Sequence, residues 1–373
     1  MKEIVKGVKM KSEKLKTVTV TFHRARNYGA VLQAYALQKI LLSLGYDNKI
    51  LDESEEPLFK INKENIRLFF ISCLLNIYTL CNLKKMIRQK KVFKFFVEEN
   101  MQLTRKYDAN SLKENYPTAD IYITGSDQVF SYTIDPEKRD VRFLNFLKNE
   151  KKCSYAASFG EYDLSSENRK AFKENLLSFD QLSLREQKGY EYIKSFCDIK
   201  AEVNIDPIFL LTVEEWRKIS VTPKLKEKYI CCFLINNHPL LEDVISKLKA
   251  DTKLKVICIQ TRPMKILKSG ITIINASPQE FLGYLLNAEY IITTSFHGTA
   301  FSILFNKQFY TLIKNFRPQR MENLFSLFNI NSSHLIRDNF TFDNNLIDYA
   351  EINKKIENER SKAFSYLKSF KNL

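Results

Sequence analysis

Tyr290-Ile291-Ile292-Thr293-Thr294-Ser295-Phe296-His297-Gly298-Thr299-Ala300-Phe301 is a complete strand–turn–helix unit. An apolar run from Tyr290 to Ile292 meets a polar turn, and a second apolar run, Phe301 to Phe305, follows it. The pattern predicts a strand, a tight turn and a helix from Gly298. The first N–H groups of a helix have no internal acceptor, so a helix start behind a strand binds anions. One of only four histidines in the chain stands at that mouth. Taken alone, the stretch reads equally well as a Ser/Thr turn with a solvated imidazole.

The surrounding sequence repeats the same unit. Upstream come a strand at Tyr229–Ile235, a helix at Leu240–Leu248, a strand at Leu254–Gln260 and a helix at Pro278–Asn287. Downstream comes a strand at Phe309–Ile313. An earlier set begins with a strand at Thr17–Phe22 and a helix at Gly29–Leu44, whose apolar side is Val31, Ala34, Tyr35, Leu41 and Leu42. It continues with strands at Lys49–Asp52, Asp120–Thr124, Cys153–Phe159 and Gln181–Leu184, and breaks at Asn204-Ile205-Asp206-Pro207. Alternating strands and helices predict parallel sheets. The expected fold is therefore α/β, with two Rossmann-like domains facing a central cleft. The expected divisions are an N-terminal polar extension (1–16), an N-terminal domain (17–205) with a helical basic insertion (60–105), a linker (206–227), a C-terminal domain (228–340) and a C-terminal helix (341–373).

Composition narrows the function. Lys and Arg number 58 against 43 Asp and Glu, a net charge of +15, which favours anionic partners without naming one. Glycine is scarce, and neither GxGxxG nor a Walker pattern occurs. The seven cysteines have no CxxC spacing near histidine, so no metal site is expected. Cys153, Cys231, Cys232 and Cys258 sit in apolar strands as small hydrophobes, consistent with a reducing, cytoplasmic setting. The lysine-rich N-terminus lacks the apolar core of a secretory signal. Ile66–Leu83 carries one formal charge, Arg67, and runs into Lys84, Lys85, Arg88, Lys90, Lys91 and Lys94. Polar residues interrupt it too often for a membrane span, so it reads as a domain-covering helix or as a basic helix resting on anionic lipid. No nucleic-acid motif accompanies the charge, and no nucleic-acid partner is expected.

Four segments place polar residues where strands end. His23-Arg24-Ala25-Arg26-Asn27-Tyr28-Gly29 offers a helix cap in Asn27, also suited to a sugar hydroxyl, and two arginines that no cap requires. Thr124-Gly125-Ser126-Asp127-Gln128 offers a carboxylate that could cap a helix or take a proton from a hydroxyl. In Ser183-Leu184-Arg185-Glu186, a guanidinium ends a buried strand, so it needs an internal carboxylate such as Glu186 or an anionic ligand. The Ser295–Thr299 turn is the fourth, followed by Arg317 and Arg320. Their common location points to an anion-handling enzyme.

At these residues the chain resembles the polysaccharide pyruvyl transferase family. The matching pieces are Asn27-Tyr28-Gly29-Ala30 with Leu32-Gln33-Ala34-Tyr35-Ala36-Leu37, Ile123-Thr124-Gly125-Ser126-Asp127-Gln128-Val129 and Ser154-Tyr155-Ala156-Ala157-Ser158-Phe159-Gly160. Ser183-Leu184-Arg185-Glu186, Asp206-Pro207 and Ser295-Phe296-His297-Gly298-Thr299 complete the set. The resemblance implies a GT-B-like fold and transfer of pyruvyl from phosphoenolpyruvate to two hydroxyls of one sugar, as a cyclic ketal with release of phosphate. It implies no cofactor beyond the donor. The setting is capsule or exopolysaccharide biosynthesis, with an undecaprenyl-diphosphate-linked acceptor at the inner membrane face, where the basic segment could touch anionic lipid peripherally. A nucleotide-sugar glycosyltransferase of the same fold is the alternative. His297 is expected as the acid, since imidazole titrates near neutrality, and Asp127 as the base. Arg185, Ser295, Gly298, Thr299, Arg317 and Arg320 are the expected donor contacts. The expected acceptor contacts are Arg26, Asn27, Tyr28, Gln33, Ser126 and Gln128. Better-studied branches of the family carry Arg-Leu-His where this chain has Ser295-Phe296-His297, so either Arg317 or Arg320 replaces the missing arginine or the donor is held differently.

Overall fold

The computed structural model describes residues 14–53, 81–160, 164–225, 227–261, 270–314, 319–337 and 346–373. Most of the N-terminal extension, the apolar run up to residue 80 and Arg317 lie outside the described residues.

Two parallel sheets form the frame. The first has strand order β3-β2-β1-β4-β5, from β1 (Lys16–Val20), β2 (Asp47–Glu53), β3 (Leu103–Tyr107), β4 (Ile121–Thr124) and β5 (Lys151–Ser154). Single bridges from Cys153 to Gln181 and from Ala157 to Leu184 extend its edge towards the pair β6 (Ser183–Leu184) and β7 (Glu202–Val203). The second has order β10-β9-β8-β11-β12-β13, from β8 (Tyr229–Leu234), β9 (Lys255–Gln260), β10 (Ile271–Ile273), β11 (Tyr290–Thr293), β12 (Gln308–Leu312) and β13 (Leu335–Ile336). Its central strand β8, Tyr-Ile-Cys-Cys-Phe-Leu, is buried throughout, as a parallel strand covered on both faces must be. Burial pushes the thiols of Cys153, Cys231, Cys232 and Cys258 up, the last to about 12, so they behave as packing groups.

Helix α1 (Tyr28–Ser43) joins the two halves. Asn27, at φ −140°, caps it by accepting from Gly29 N at 3.0 Å, and Gly45, at φ +90°, ends the turn beyond it. The sequence pattern gave this helix one apolar side, yet nearly every residue from Tyr28 to Leu41 is buried, Gln33 and Gln38 included. One face lies on the first sheet, and the start of the helix lies against the second domain. There the Tyr28 ring stacks on Phe281 at 4.3 Å, and its hydroxyl donates to Ala276 O at 2.9 Å.

Around the sheets run α2 (Leu83–Asn100), α3 (Ala109–Glu114), α4 (Pro136–Arg142), α5 (Ser166–Leu177), α6 (Gln187–Lys194) and α7 (Val213–Ile219) in the first half. The second half adds α8 (Leu241–Thr252), α9 (Pro278–Asn287), α10 (Phe296–Leu304), α11 (Gln319–Phe328) and α12 (Ala350–Ser369). The closing helix α12 returns to the first domain. Lys355 Nζ donates to Leu327 O in the second half, Arg360 Nε to Phe209 O, and Tyr366 Oη to Ser154 O beside the first sheet. A surface bridge adds to the joint: Glu322 on α11 accepts from Lys188 on α6 at 2.9 Å and also pairs with Arg337.

Candidate functional site

Helix α10 begins two residues earlier than the sequence pattern predicts. Ser295, not the Thr293–His297 turn as a whole, is the cap: its hydroxyl accepts from Gly298 N, and its carbonyl accepts from Thr299 N at 2.9 Å. The amides of Gly298 and Thr299 are therefore committed to the cap and do not face a ligand. The helix starts without internal acceptors for the amides of Phe296 and His297 instead. Gly298 is required by packing, because a Cβ there would lie 2.2 Å from Thr293 Oγ1. Thr299 is also corrected. Its hydroxyl bonds Ser295 O and Thr311 Oγ1, which ties the helix to β12.

His297 meets the start of the other joining helix. A Cβ on Gly29 would sit 2.0 Å from His297 Nδ1, so only glycine lets α1 approach the imidazole. Two helix N-termini thus converge on one histidine, and their positive ends favour an anion there.

Asp206 links the two domains at this point. The chain enters the Pro207–Leu210 turn with Asp206 Oδ1 accepting from Ile208 N at 3.1 Å. Its other oxygen, Oδ2, lies 2.9 Å from Arg185 Nη1, 3.4 Å from His297 Nε2 and 3.4 Å from Ser126 Oγ. Burial alone would raise this carboxyl, but the charges of His297 and Arg185 and the Ile208 amide outweigh it and hold it below the usual carboxylate range. Arg185 donates from Nε to Glu186 Oε1 at 2.8 Å, and its guanidinium lies 4.1 Å above the Phe296 ring. Burial works against this cation, and the nearby Glu186, Asp206 and Asp127 carboxylates more than compensate, which raises its pKa. Arg185 is 4 % exposed and His297 4 % exposed, yet Arg185 Nη2 and His297 Nε2 make no aligned hydrogen bond among the described residues. The 3.4 Å approach of His297 to Asp206 is a charge contact. Buried donors of this kind are costly unless a ligand completes them.

Asp127 caps no helix. It sits at φ +75°, a left-handed conformation held by Ser158 N and Val129 N donating to its carbonyl. Its carboxylate accepts from Gln128 N at 2.9 Å and acts on Arg185. Gln128, with its amide oxygen turned to Arg320 as the hydrogen-bond network requires, accepts from both terminal nitrogens at 2.6 and 2.7 Å. Arg320 also lies 5.7 Å from the Phe296 ring, so Phe296 is contacted by a guanidinium from each domain.

The structure therefore brings together His297, Arg185, Asp127, Ser126, Gln128, Arg320 and Ser295. It does not bring Tyr28 or Gln33 to a ligand. Tyr28 is wholly buried in the domain joint, and burial raises its hydroxyl pKa. Gln33 is equally buried and donates to Thr21 Oγ1 and Ala30 O. Arg26 and Asn27 line a neighbouring cleft of about 630 Å³. Its walls come from the end of β1, from α2 through Lys90, Phe93, Lys94 and Val97, and from Thr261 of the second domain. Arg24 and His23, which border it, are tied to buried Asp52, and Arg142 to Glu53.

Asp206 is the residue that sequence reasoning missed, with Gly29 and Phe296. Each lay inside a quoted motif. Its importance comes from contacts with residues far away in sequence.

A family model for polysaccharide pyruvyl transferase matches residues 27–313. No curated protein matches the chain. Among solved structures, UDP-GlcNAc 2-epimerase from Neisseria meningitidis aligns with 95 % of this chain and 94 % of its own at 11 % identity and a TM-score of 0.50. A protein assigned as UDP-N-acetylglucosamine 2-epimerase from Listeria monocytogenes aligns with 96 % of this chain and 91 % of its own at 9 % identity and a TM-score of 0.50. At such identities the likeness concerns the fold, two Rossmann-like domains of GT-B type.

Proposed function

The chain belongs to the polysaccharide pyruvyl transferase family and is a transferase; on that premise we propose that it moves pyruvyl from phosphoenolpyruvate to a diol of a lipid-linked sugar. One observation carries the reading: Arg185 Nη2 and His297 Nε2 are buried and uncompleted around Asp206, where two helices begin. A carboxylate or phosphate oxygen would complete both donors. Arg320, which also lies over the Phe296 ring, supplies a second guanidinium in place of the arginine missing at position 295.

The reaction moves two protons. One is delivered to the methylene carbon of the donor, which becomes the methyl group. A sugar hydroxyl bonds to C2, the C2–O bond to phosphate breaks, and the second hydroxyl closes the ketal. The other hydroxyl proton leaves with the phosphate. In this reading His297 gives the proton to carbon. Asp206, kept ionised, holds the imidazole and Arg185 in register, and Asp127 accepts from the hydroxyl. The acceptor's sugar enters past Arg26 and Asn27 from the 630 Å³ cleft.

The test is phosphate release from phosphoenolpyruvate with glycolipid extracts as acceptor, together with mass spectrometry of the product. Acceptor-dependent phosphate and a pyruvate ketal on the sugar support the reading. Release of nucleotide from a nucleotide-sugar, with no phosphate from phosphoenolpyruvate, overturns it.

A further inference from the structure

Helix α2 carries an exposed outer face. Its inner face, Met86, Gln89, Phe93, Phe96 and Val97, is buried and fixes it to the protein. On the outer side Leu83, Ile87 and Phe95 are 38 %, 43 % and 61 % exposed. Lys84, Lys85, Arg88, Lys91 and Lys94 stand exposed among them, and no acidic residue occurs between Leu83 and Val97. At 100° per residue these apolar and cationic side chains, Lys85 apart, share one side of the helix, on which the one carboxylate is Glu98, 3.9 Å from Lys94 Nζ. Cations on flexible stems interleaved with large apolar groups match an anionic bilayer, where the stems lie along the acyl boundary and the charges reach the headgroups. A nucleic acid would use the charges but not Ile87 and Phe95. Among the described residues no helix is long and apolar enough to cross a membrane.

We propose that this face of α2 docks on an anionic lipid surface. The same helix forms a wall of the 630 Å³ cleft through Lys90, Phe93, Lys94 and Val97. Docking therefore holds the cleft beside the bilayer, where a sugar on a lipid carrier would be presented. The purpose of docking, though not docking itself, rests on the lipid-linked acceptor proposed above.

The full chain is sedimented with vesicles of phosphatidylcholine alone and with added phosphatidylglycerol, over a salt series. Each cation near an anionic surface strengthens binding by about fivefold, so Lys84→Gln, Arg88→Gln and Lys91→Gln together weaken it about a hundredfold. Binding falls with salt, because surface charges are screened over about 10 Å at 0.1 M. A second variant, Ile87→Ser with Phe95→Ser, keeps every charge and also loses binding. Unchanged thermal unfolding shows that both variants are folded. The proposal is overturned by absence of vesicle binding, by equal binding to both lipid mixtures, or by variants that bind like the parent. It is also overturned if homopolymer RNA displaces the vesicles and binds the Ile87/Phe95 variant undiminished. Turnover of phosphoenolpyruvate on a detergent-solubilised acceptor is measured in parallel. Turnover without vesicle binding removes the docking proposal alone, and vesicle binding without turnover removes the donor reading alone.

Discussion

Replacing Gly29 by alanine perturbs His297 without touching its chemistry. The new Cβ would lie 2.0 Å from Nδ1, 2.1 Å from Cγ and 2.6 Å from Cβ of His297, whereas ordinary contact begins at 3.4 Å, so the ring must retreat by about 1.4 Å. Alanine itself suits the first turn of α1 and gains up to about 1 kcal/mol over glycine. Overpacking costs about 1–3 kcal/mol, so the net loss of stability is about 0–3 kcal/mol and the protein stays folded. Displacing a reacting group by about 1 Å costs about 10²-fold in turnover. The assay is the rate of phosphate release, with thermal unfolding as the control. A double-mutant cycle sharpens it. In a His297→Gly background, where all three opposing atoms are gone, Gly29→Ala should cost nothing more. Parental turnover in folded Gly29→Ala, or equal losses with and without His297, would refute the role given to this contact.

His297→Ala should lower kcat by about 10²–10⁴-fold with a smaller change in KM, read from initial rates, as loss of a proton donor does. Arg185→Ala should destabilise the protein by about 3–5 kcal/mol in denaturant titrations, because Glu186 and Asp206 would be left buried without their cation. Arg320→Ala should cost about 1–3 kcal/mol of stability, because the Gln128 amide oxygen loses both donors, and raise KM for phosphoenolpyruvate about ten- to hundredfold, the worth of charged hydrogen bonds. Asp206→Asn should be less stable than the parent at pH 7. Because the folded pKa is depressed, that advantage of the parent is present above the unfolded value near 4 and shrinks as pH falls towards about 2, as pH-dependent melting would show.

The order of strands and helices was readable because parallel strands such as β8 and β11 are short continuous apolar runs between polar turns. Family motifs marked the loops at the strand ends, and His297, Arg185 and Asp127 were found there. Local pattern failed where a residue's role depends on a distant partner. Tyr28 stands among polar loop residues, but its hydroxyl is bound by Ala276, 248 positions away. Asp206 resembles an ordinary cap, which it is through Oδ1; its second oxygen joins Ser126 from 80 residues upstream and His297 from the other domain. Sequence pattern puts the start of α10 late because Phe296 and His297 stand between the turn-forming residues Ser295 and Gly298, while Ser295 sets the boundary by hydrogen bonding.

In the proposed function the Asp206–Arg185–His297 cluster receives phosphoenolpyruvate. Isothermal titration of the full chain with phosphoenolpyruvate, before and after addition of UDP-sugars, tests it most directly. Phosphoenolpyruvate should bind saturably and UDP-sugars should leave that binding intact, while Arg185→Lys and Arg320→Ala, each shown to be folded by a cooperative thermal transition, should weaken it. Saturable binding of a UDP-sugar with none of phosphoenolpyruvate would contradict it.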